Sequence, residues 1–286
     1  MGPIRELALE GVGVSFGDAA ALRDFTLSVE LGERVAVIGA SGAGKSTLFR
    51  ALTRSVALSG GTVTIGGRDL YALSKKGLRD LRRRIGTIHQ AYNLVPPLPA
   101  GVNVALGEVG GMKSGRALRT FLAGPDAALA KRVRGALEEV ELSDFAATRT
   151  ADLSGGQQQR VAVARLLVQR PEIILADEPF AAVDPVTTEK VLEALLALND
   201  AGATLLANMH DVELARRFPR VVALREGSVH YDGSPERLTD ERLAEIYRGD
   251  PRNETKPDPE EQQSVRHCME DPMIRLTEGR DGVSAH

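Results

Sequence analysis

Apolar and polar positions alternate along the first thirty residues. Leu7, Leu9, Val12, Val14 and Phe16 mark one stretch, Phe25, Leu27 and Val29 a second, and Gly17-Asp18 separates them. The pattern predicts strands over 7–16 and 22–29 joined by a turn, with Gly11 and Gly13 marking a bulge in the first. The runs 173–176 and 204–209 are continuously apolar, as strands buried on both faces of a parallel sheet are. Further strands are expected at 34–38, 62–65, 85–90, 220–224 and 228–231. Helical spacing is read over 48–52, 78–84, 116–122, 188–201 and 212–218, with short terminal helices at 235–238 and 241–247. Asp126 caps a helix carrying Leu129, Val133, Leu137 and Val140, and another runs from about 153 to 169. Pro96, Pro97 and Pro99 rule out regular structure where they stand, 102–106 resumes an apolar pattern, and the glycine-rich stretch 107–115 reads as a loop.

The alternation of strand, loop and helix indicates an α/β fold with a mixed core sheet and an antiparallel β part near the N-terminus. Residues 1–90 and 159–249 form the expected core lobe, and 91–158 a helical lobe inserted into it. Beyond 249 the texture turns polar, with Pro251, Pro257, Pro259 and Pro272; residues 250–286 carry a formal charge of −4 and residues 1–249 of +1. That tail lacks the apolar area to offset chain entropy and is expected to be disordered.

Composition narrows the function classes. A formal net charge of −3 argues against binding nucleic acid through bulk charge. The single cysteine, Cys268, excludes an internal disulfide or a cysteine-rich zinc site and suits a reducing compartment. The opening Met1-Gly2-Pro3-Ile4-Arg5-Glu6 has no basic segment followed by an apolar one, so no signal peptide is expected. No apolar run approaches the ~20 residues that span a bilayer, so a membrane role is expected to be peripheral or through a partner.

The chemistry is concentrated in Gly39-Ala40-Ser41-Gly42-Ala43-Gly44-Lys45-Ser46-Thr47, which follows a β-branched run and precedes a helical pattern. It fits G-x-x-x-x-G-K-[ST], the phosphate-binding P-loop. Its glycines let backbone amides converge on phosphate oxygens at the positive end of a helix. Lys45 is the candidate bridge between β- and γ-phosphates, and Ser46 a candidate Mg²⁺ ligand. Asp177 ends the apolar strand 173–176, where a parallel sheet presents its ligand groups, and is the second candidate Mg²⁺ ligand. Glu178 is the candidate general base for an attacking water. Ser154 reads as the N-cap of a second anion-binding helix terminus, formed with Gly155, Gly156 and Gln157. A chain that already has one phosphate cradle has a second one to offer another chain's nucleotide.

With the P-loop, Gln90, Leu153-Ser154-Gly155-Gly156-Gln157, 173–178, Asp184 and His210 in this order, residues 4–247 closely resemble the nucleotide-binding subunits of ABC transporters. The resemblance implies a P-loop NTPase of the ABC type that hydrolyses ATP with Mg²⁺. It implies a head-to-tail dimer with two ATPs sandwiched between P-loop and signature. It assigns Gln90 to the Mg²⁺ and water and to sensing the membrane subunit, His210 to the γ-phosphate, Asp184 to the dimer seam and Phe16 to stacking on adenine. From sequence alone, Phe16 reads equally as a core phenylalanine on a strand. The implied partners are integral membrane permease subunits and an extracytoplasmic substrate-binding protein, with the chain at the cytoplasmic face of the membrane.

Two departures stand out. Ala181-Ala182-Val183-Asp184 lacks the usual leading hydroxyl, and His89 replaces an aromatic residue. The stretches 85–95, 157–165 and 240–247 are similar to phosphonate-import ATPases. Import of phosphate, phosphite or polar amino acids would leave nearly the same ATPase, and export or lipoprotein release stays open. A soluble ABC ATPase of DNA repair or translation is the remaining alternative, for which the cluster Arg79, Arg82, Arg83 and Arg84 is the only sequence argument.

Overall fold

In a computed structural model of the chain, residues 4, 6–89, 92–110, 112, 115, 117, 120, 124–181 and 183–248 are described. The first two strands form the expected hairpin. β1 (Glu6–Phe16) pairs antiparallel with β2 (Ala19–Glu30), and its register shifts between Leu9 and Ser15. Gly11, at φ +56°, sits in that irregularity, so the bulge read from the glycines is present. β4 (Gly60–Ile65) pairs with the other edge of β1, and the short β5 (Arg68–Asp69) completes a four-stranded antiparallel sheet of order β2-β1-β4-β5.

The second sheet has six strands and carries the site. β3 (Arg34–Gly39) and β8 (Thr204–Asn208) lie at its centre, flanked by β7 (Ile173–Asp177) and β6 (Ile85–Ile88) on one side. β9 (Arg220–Arg225) and β10 (Ser228–Gly233) lie on the other. β6, β7, β8, β3 and β9 are parallel and β10 is antiparallel to β9, which makes the sheet mixed. α1 (Lys45–Leu52) lies between the sheets, and Val35, Val37, Leu175, Leu206 and Val222 join Leu9, Phe25, Leu48 and Leu52 in one core. Residues of the opposite parity, among them Ile38, Ile174, Leu205 and Val221, are equally buried. Burial on both faces is why these strands read as unbroken apolar runs.

α3 (Ala100–Val109) and α4 (Ala127–Glu139) pack against α5 (Gly155–Gln169). The glycine-rich loop expected from position 107 begins later, because the helix runs on to Val109. Gly107 is a packing glycine: a Cβ there would stand 2.4 Å from the carbonyl oxygen of Arg165, so only a bare Cα lets the two helices approach. The proline-rich segment before α3 is irregular but anchored. The buried Asn103 amide donates to Val95 O and to Thr150 Oγ1 (2.6 Å), and its oxygen accepts from Val95 N.

Two other helices differ in extent. α6 (Pro185–Asp200) starts three residues before the expected 188, because Asp184 caps it and Pro185 takes its first turn. α7 (Val212–Ala215) ends three residues before the expected 218. α2 (Lys75–Arg82) and α8 (Asp240–Ile246) complete the fold, and the unit they belong to ends at Ile246. Most of the expected helix at 116–122, and the tail 250–286, lie outside the described residues. Among the described residues, no helix is long and apolar enough to cross a membrane.

Candidate active site

The parallel register sets three strand ends side by side: Val37 pairs with Asn208, and Asn208 with Asp177. Everything the loops after these strands carry therefore meets at one rim of the sheet. After β3 comes the glycine loop, with Gly39 at φ +147°, Gly42 at +79° and Gly44 at +104°. At Gly39 a Cβ would stand 2.3 Å from Leu224 O, and at Gly44 2.6 Å from Ala21 O, so both positions require glycine.

Gly44 opens α1 without any side-chain cap. Ser74, Asp126, Ser154, Asp184 and Asp211 each place a side-chain oxygen on the first amides of their helices. The α1 terminus thus differs from these in facing the rim without an acceptor of its own, which suits an anion. The buried Lys45 ammonium reaches back to Gly39 O (2.7 Å) and Ala40 O (3.0 Å), which holds its charge over the loop.

From α1, Ser46 Oγ donates to Asp177 Oδ1 at 3.3 Å, and Asn208 Nδ2 donates to the same oxygen at 2.5 Å. One residue further, Glu178 sits at φ +53°, a left-handed conformation uncommon for a residue other than glycine. Its amide is tied to Asn208 O at 3.1 Å. Glu178 Oε1 lies 2.7 Å from His210 Nε2; a carboxylate only accepts, so the ring nitrogen is the donor. Half-buried His89 directly follows the neighbouring strand β6, and burial pushes its imidazole below the ordinary value against the opposing pull of Asp177.

Of the residues singled out from sequence, Lys45, Ser46, Asp177, Glu178 and His210 thus converge, with Gly39, Ala40, Ser41, Gly42, Ala43, Gly44 and Thr47 forming the loop and first turn beside them. Phe16 is half-exposed at the end of β1 and is not a core residue. Gln90 lies outside the described residues.

Residues 154–157 form the start of α5. Ser154 Oγ accepts from Gln157 N at 3.3 Å and Gln157 Oε1 from Ser154 N at 2.9 Å, a complete capping box. Gly155 abuts the Tyr92 hydroxyl, and Gly156 abuts Thr187 and Asp184. Asp184 accepts from Thr187 Oγ1 (2.7 Å) and Thr187 N (3.0 Å), and these hydrogen bonds hold its carboxyl below the usual range. The buried Gln159 Nε2 donates to Pro179 O at 2.5 Å, which ties this helix to the segment just after Glu178.

Sequence reasoning passed over Gln159, Tyr92 and Asn208. The one available signal was Asn208 itself, a polar residue closing an apolar run. The basic cluster is largely occupied within the fold: Arg82 caps Thr53 O, Arg83 pairs with Asp80, and Arg84 grips Glu172.

The residues fit a nucleotide with a hard divalent cation. Among the described residues there is no group of three His, Cys, Asp or Glu side chains able to hold a metal. One carboxylate and one hydroxyl instead suit an ion that takes its other ligands from phosphate and water.

The family model described as ABC transporter matches residues 22–181. The chain belongs to the ABC transporter family. This ABC chain is 44% identical over 243 residues to Phosphonates import ATP-binding protein PhnC of Bradyrhizobium diazoefficiens, covering 84% of this chain and 89% of that protein. It is 47% identical over 242 residues to the protein of the same name from Anaeromyxobacter dehalogenans, covering 84% of this chain and 48% of that protein. The chain therefore spans about half the length of that second relative.

Solved structures share the fold. A dimeric ATP-binding cassette in a post-hydrolysis state, bound to ADP and Pi, superposes with a TM-score of 0.71 at 34% identity, covering 80% of this chain and 98% of that one. A bacterial Atm1-family ABC exporter with ATP bound gives a TM-score of 0.70 at 27% identity, covering 83% of this chain and 40% of that one. Likeness to a cassette within an exporter as well as to import proteins means that the cassette fold alone does not set the direction of transport.

Proposed function

We propose that this ABC chain is the ATP-hydrolysing motor subunit of a membrane importer for phosphonate or a related oxyanion. The observation that carries the catalytic part is the convergence of Ser46, Asp177, Glu178 and His210 at the rim next to the uncapped start of α1. The relatives named for phosphonate import carry the cargo part.

In this reading the loop amides and Lys45 hold the phosphates, Lys45 exchanging its carbonyl contacts for phosphate oxygens. Ser46 and Asp177 would hold Mg²⁺, which would supply neutralisation of the phosphate charge. Glu178 takes the proton from an attacking water, and His210 holds that carboxylate in position while facing the γ-phosphate. Phe16, being half-exposed, supplies a face for adenine.

Residues 154–157 face a second copy's nucleotide, with Asp184 at the seam, so that the active species is a head-to-tail dimer. In support, the signature helix start closes its own capping box within one turn, and the structural neighbour at 34% identity is a dimer. Permease subunits, contacted through the region after β6 and a helical lobe that includes α3 and α4, place the chain at the cytoplasmic face of the membrane. A substrate-binding protein selects the cargo outside, and nucleic acid has no part in the cycle.

Glu178→Gln tests the catalytic reading. It should retain MgATP binding, accumulate as a dimer with ATP and lose ~10²–10⁴-fold in turnover; undiminished turnover would remove Glu178 from the role of base. Reconstitution with the permease and binding protein should show ATPase stimulation by a phosphonate. Stimulation only by an unrelated solute would overturn the cargo assignment and leave the motor reading intact.

A further inference from the structure

β8 is buried along its whole length, and Leu205, Leu206 and Ala207 pack as an apolar strand should. Asn208 breaks that logic. It is completely inaccessible, and its Oδ1 has no hydrogen-bond partner among the described residues. A buried amide with one unpaired pole is worse for folding than an apolar side chain of similar volume, so packing does not account for it.

Its other pole is engaged. Nδ2 donates to Asp177 Oδ1 at 2.5 Å from the adjacent strand. Turned over, the amide would set two acceptors face to face, so the carboxylate itself fixes the orientation. The link is not needed to join the strands, because the backbone ladder already pairs β7 with β8 from Ile173 to Asp177. Ser46 Oγ reaches the same Oδ1 from α1. Two donors converging on one oxygen hold the carboxylate in a single rotation, and Asp177 Oδ2 takes no hydrogen bond among the described residues.

We infer that Asn208 is a positioning residue for the divalent cation of the site. Its amide holds the Asp177 carboxylate in the rotation that presents oxygen to the ion, and it supports metal binding without touching the nucleotide. The inference rests on the reading of Asp177 as a metal ligand. Partners of this kind behind a ligating carboxylate are worth about 10–100-fold in metal affinity.

The test measures Mn²⁺ binding by electron paramagnetic resonance on the full chain with a non-hydrolysable ATP analogue, beside analogue binding in chelator. Asn208→Leu should weaken Mn²⁺ by roughly 10-fold or more and leave metal-free analogue binding within about twofold. Asn208→Ala deletes the same donor with a smaller side chain and serves if leucine does not fold. Asn208→Thr, which keeps a donor on a β-branched side chain, should recover part of the loss. The half-saturating Mg²⁺ for turnover should rise in step while the rate at saturating Mg²⁺ changes less.

Asp177→Ala is the control. If it abolishes Mn²⁺ binding while Asn208→Leu and Asn208→Ala bind as the wild type does, the inference is overturned and the metal reading stands. If Asp177→Ala leaves Mn²⁺ binding unchanged, the metal reading fails and the inference with it.

Discussion

Ser46 Oγ donates a hydrogen bond to Asp177 Oδ1 across 131 positions of sequence. The contact exists because β3, which launches the glycine loop, and β7, which ends in Asp177, are separated in the sheet only by β8. Two residues that serve one ion should not contribute independently. Ser46→Ala and Asp177→Asn are each expected to reduce Mg²⁺-dependent turnover by about 100-fold or more. The double variant should be little worse than the weaker single, as seen when groups act as a unit. A full multiplication of the two losses in the ATPase rates would separate the residues functionally.

Phe16 closes β1 opposite Ala19 and leaves about half its surface (49%) in solvent, so its removal should cost binding rather than stability. Phe16→Ala is expected to weaken ATP by about 1–3 kcal/mol, the usual size of a base–aromatic stack. The thermal midpoint should barely move. A fluorescent-nucleotide titration paired with a melting curve decides the matter, and lost stability with unchanged affinity would contradict the expectation.

Gly107 tests the contact between α3 and α5. Alanine would relieve the glycine penalty in a helix by ~1 kcal/mol. Its methyl would also be forced within 2.4 Å of Arg165 O unless the helices part. Overpacking of this kind costs about 1–3 kcal/mol, so Gly107→Ala should be neutral to destabilising, and Gly107→Val clearly destabilising. Arg165 also donates to Asn93 O (2.7 Å) and Tyr92 O (3.3 Å), so the same shift should disturb the turn after the Gln90 position. Urea unfolding is the measurement; a stabilised alanine variant would mean the crossing is looser than described.

The Arg84–Glu172 pair predicts an acid dependence of stability. Arg84 Nε and Nη2 donate to the two carboxylate oxygens at 2.5 and 2.6 Å. Chiefly through these hydrogen bonds, the Glu172 carboxyl lies below its usual range. A carboxylate whose pKa is lower folded than unfolded adds stability above the unfolded value, about 4.3. That stability is lost as pH falls through the folded value. Wild type should therefore exceed Glu172→Gln at neutral pH, with the gap closing below about pH 4. A gap that widens in acid would refute the assignment.

Much of this protein was legible locally. The glycine loop is a contiguous motif whose backbone demands are met by its own residues, so Gly39 to Thr47 could be recognised without any partner. Continuous apolar runs identified the parallel strands, since a strand covered on both faces has no polar side to show. Asp177 and Glu178 were recognisable for the same reason: they stand at the end of such a run.

Other features were not local. Gly107 looks like loop punctuation until α5 is seen crossing it, and the anchoring of the proline-rich segment depends on Asn103 finding Thr150 at 2.6 Å. The start of α6 was misjudged because Pro185 marks either a boundary or a first turn, and only the Asp184 cap decides which.

What the chain order determined by itself was the list of chemical groups and the strand or loop that carries each. Which of them share an oxygen atom was decided by tertiary structure. Strand order and register are non-local pairings, and they alone place Ser46, Asn208 and Asp177 within hydrogen-bond reach. The capping box at Ser154 and Gln157, by contrast, closes between residues three apart and needs no tertiary pairing.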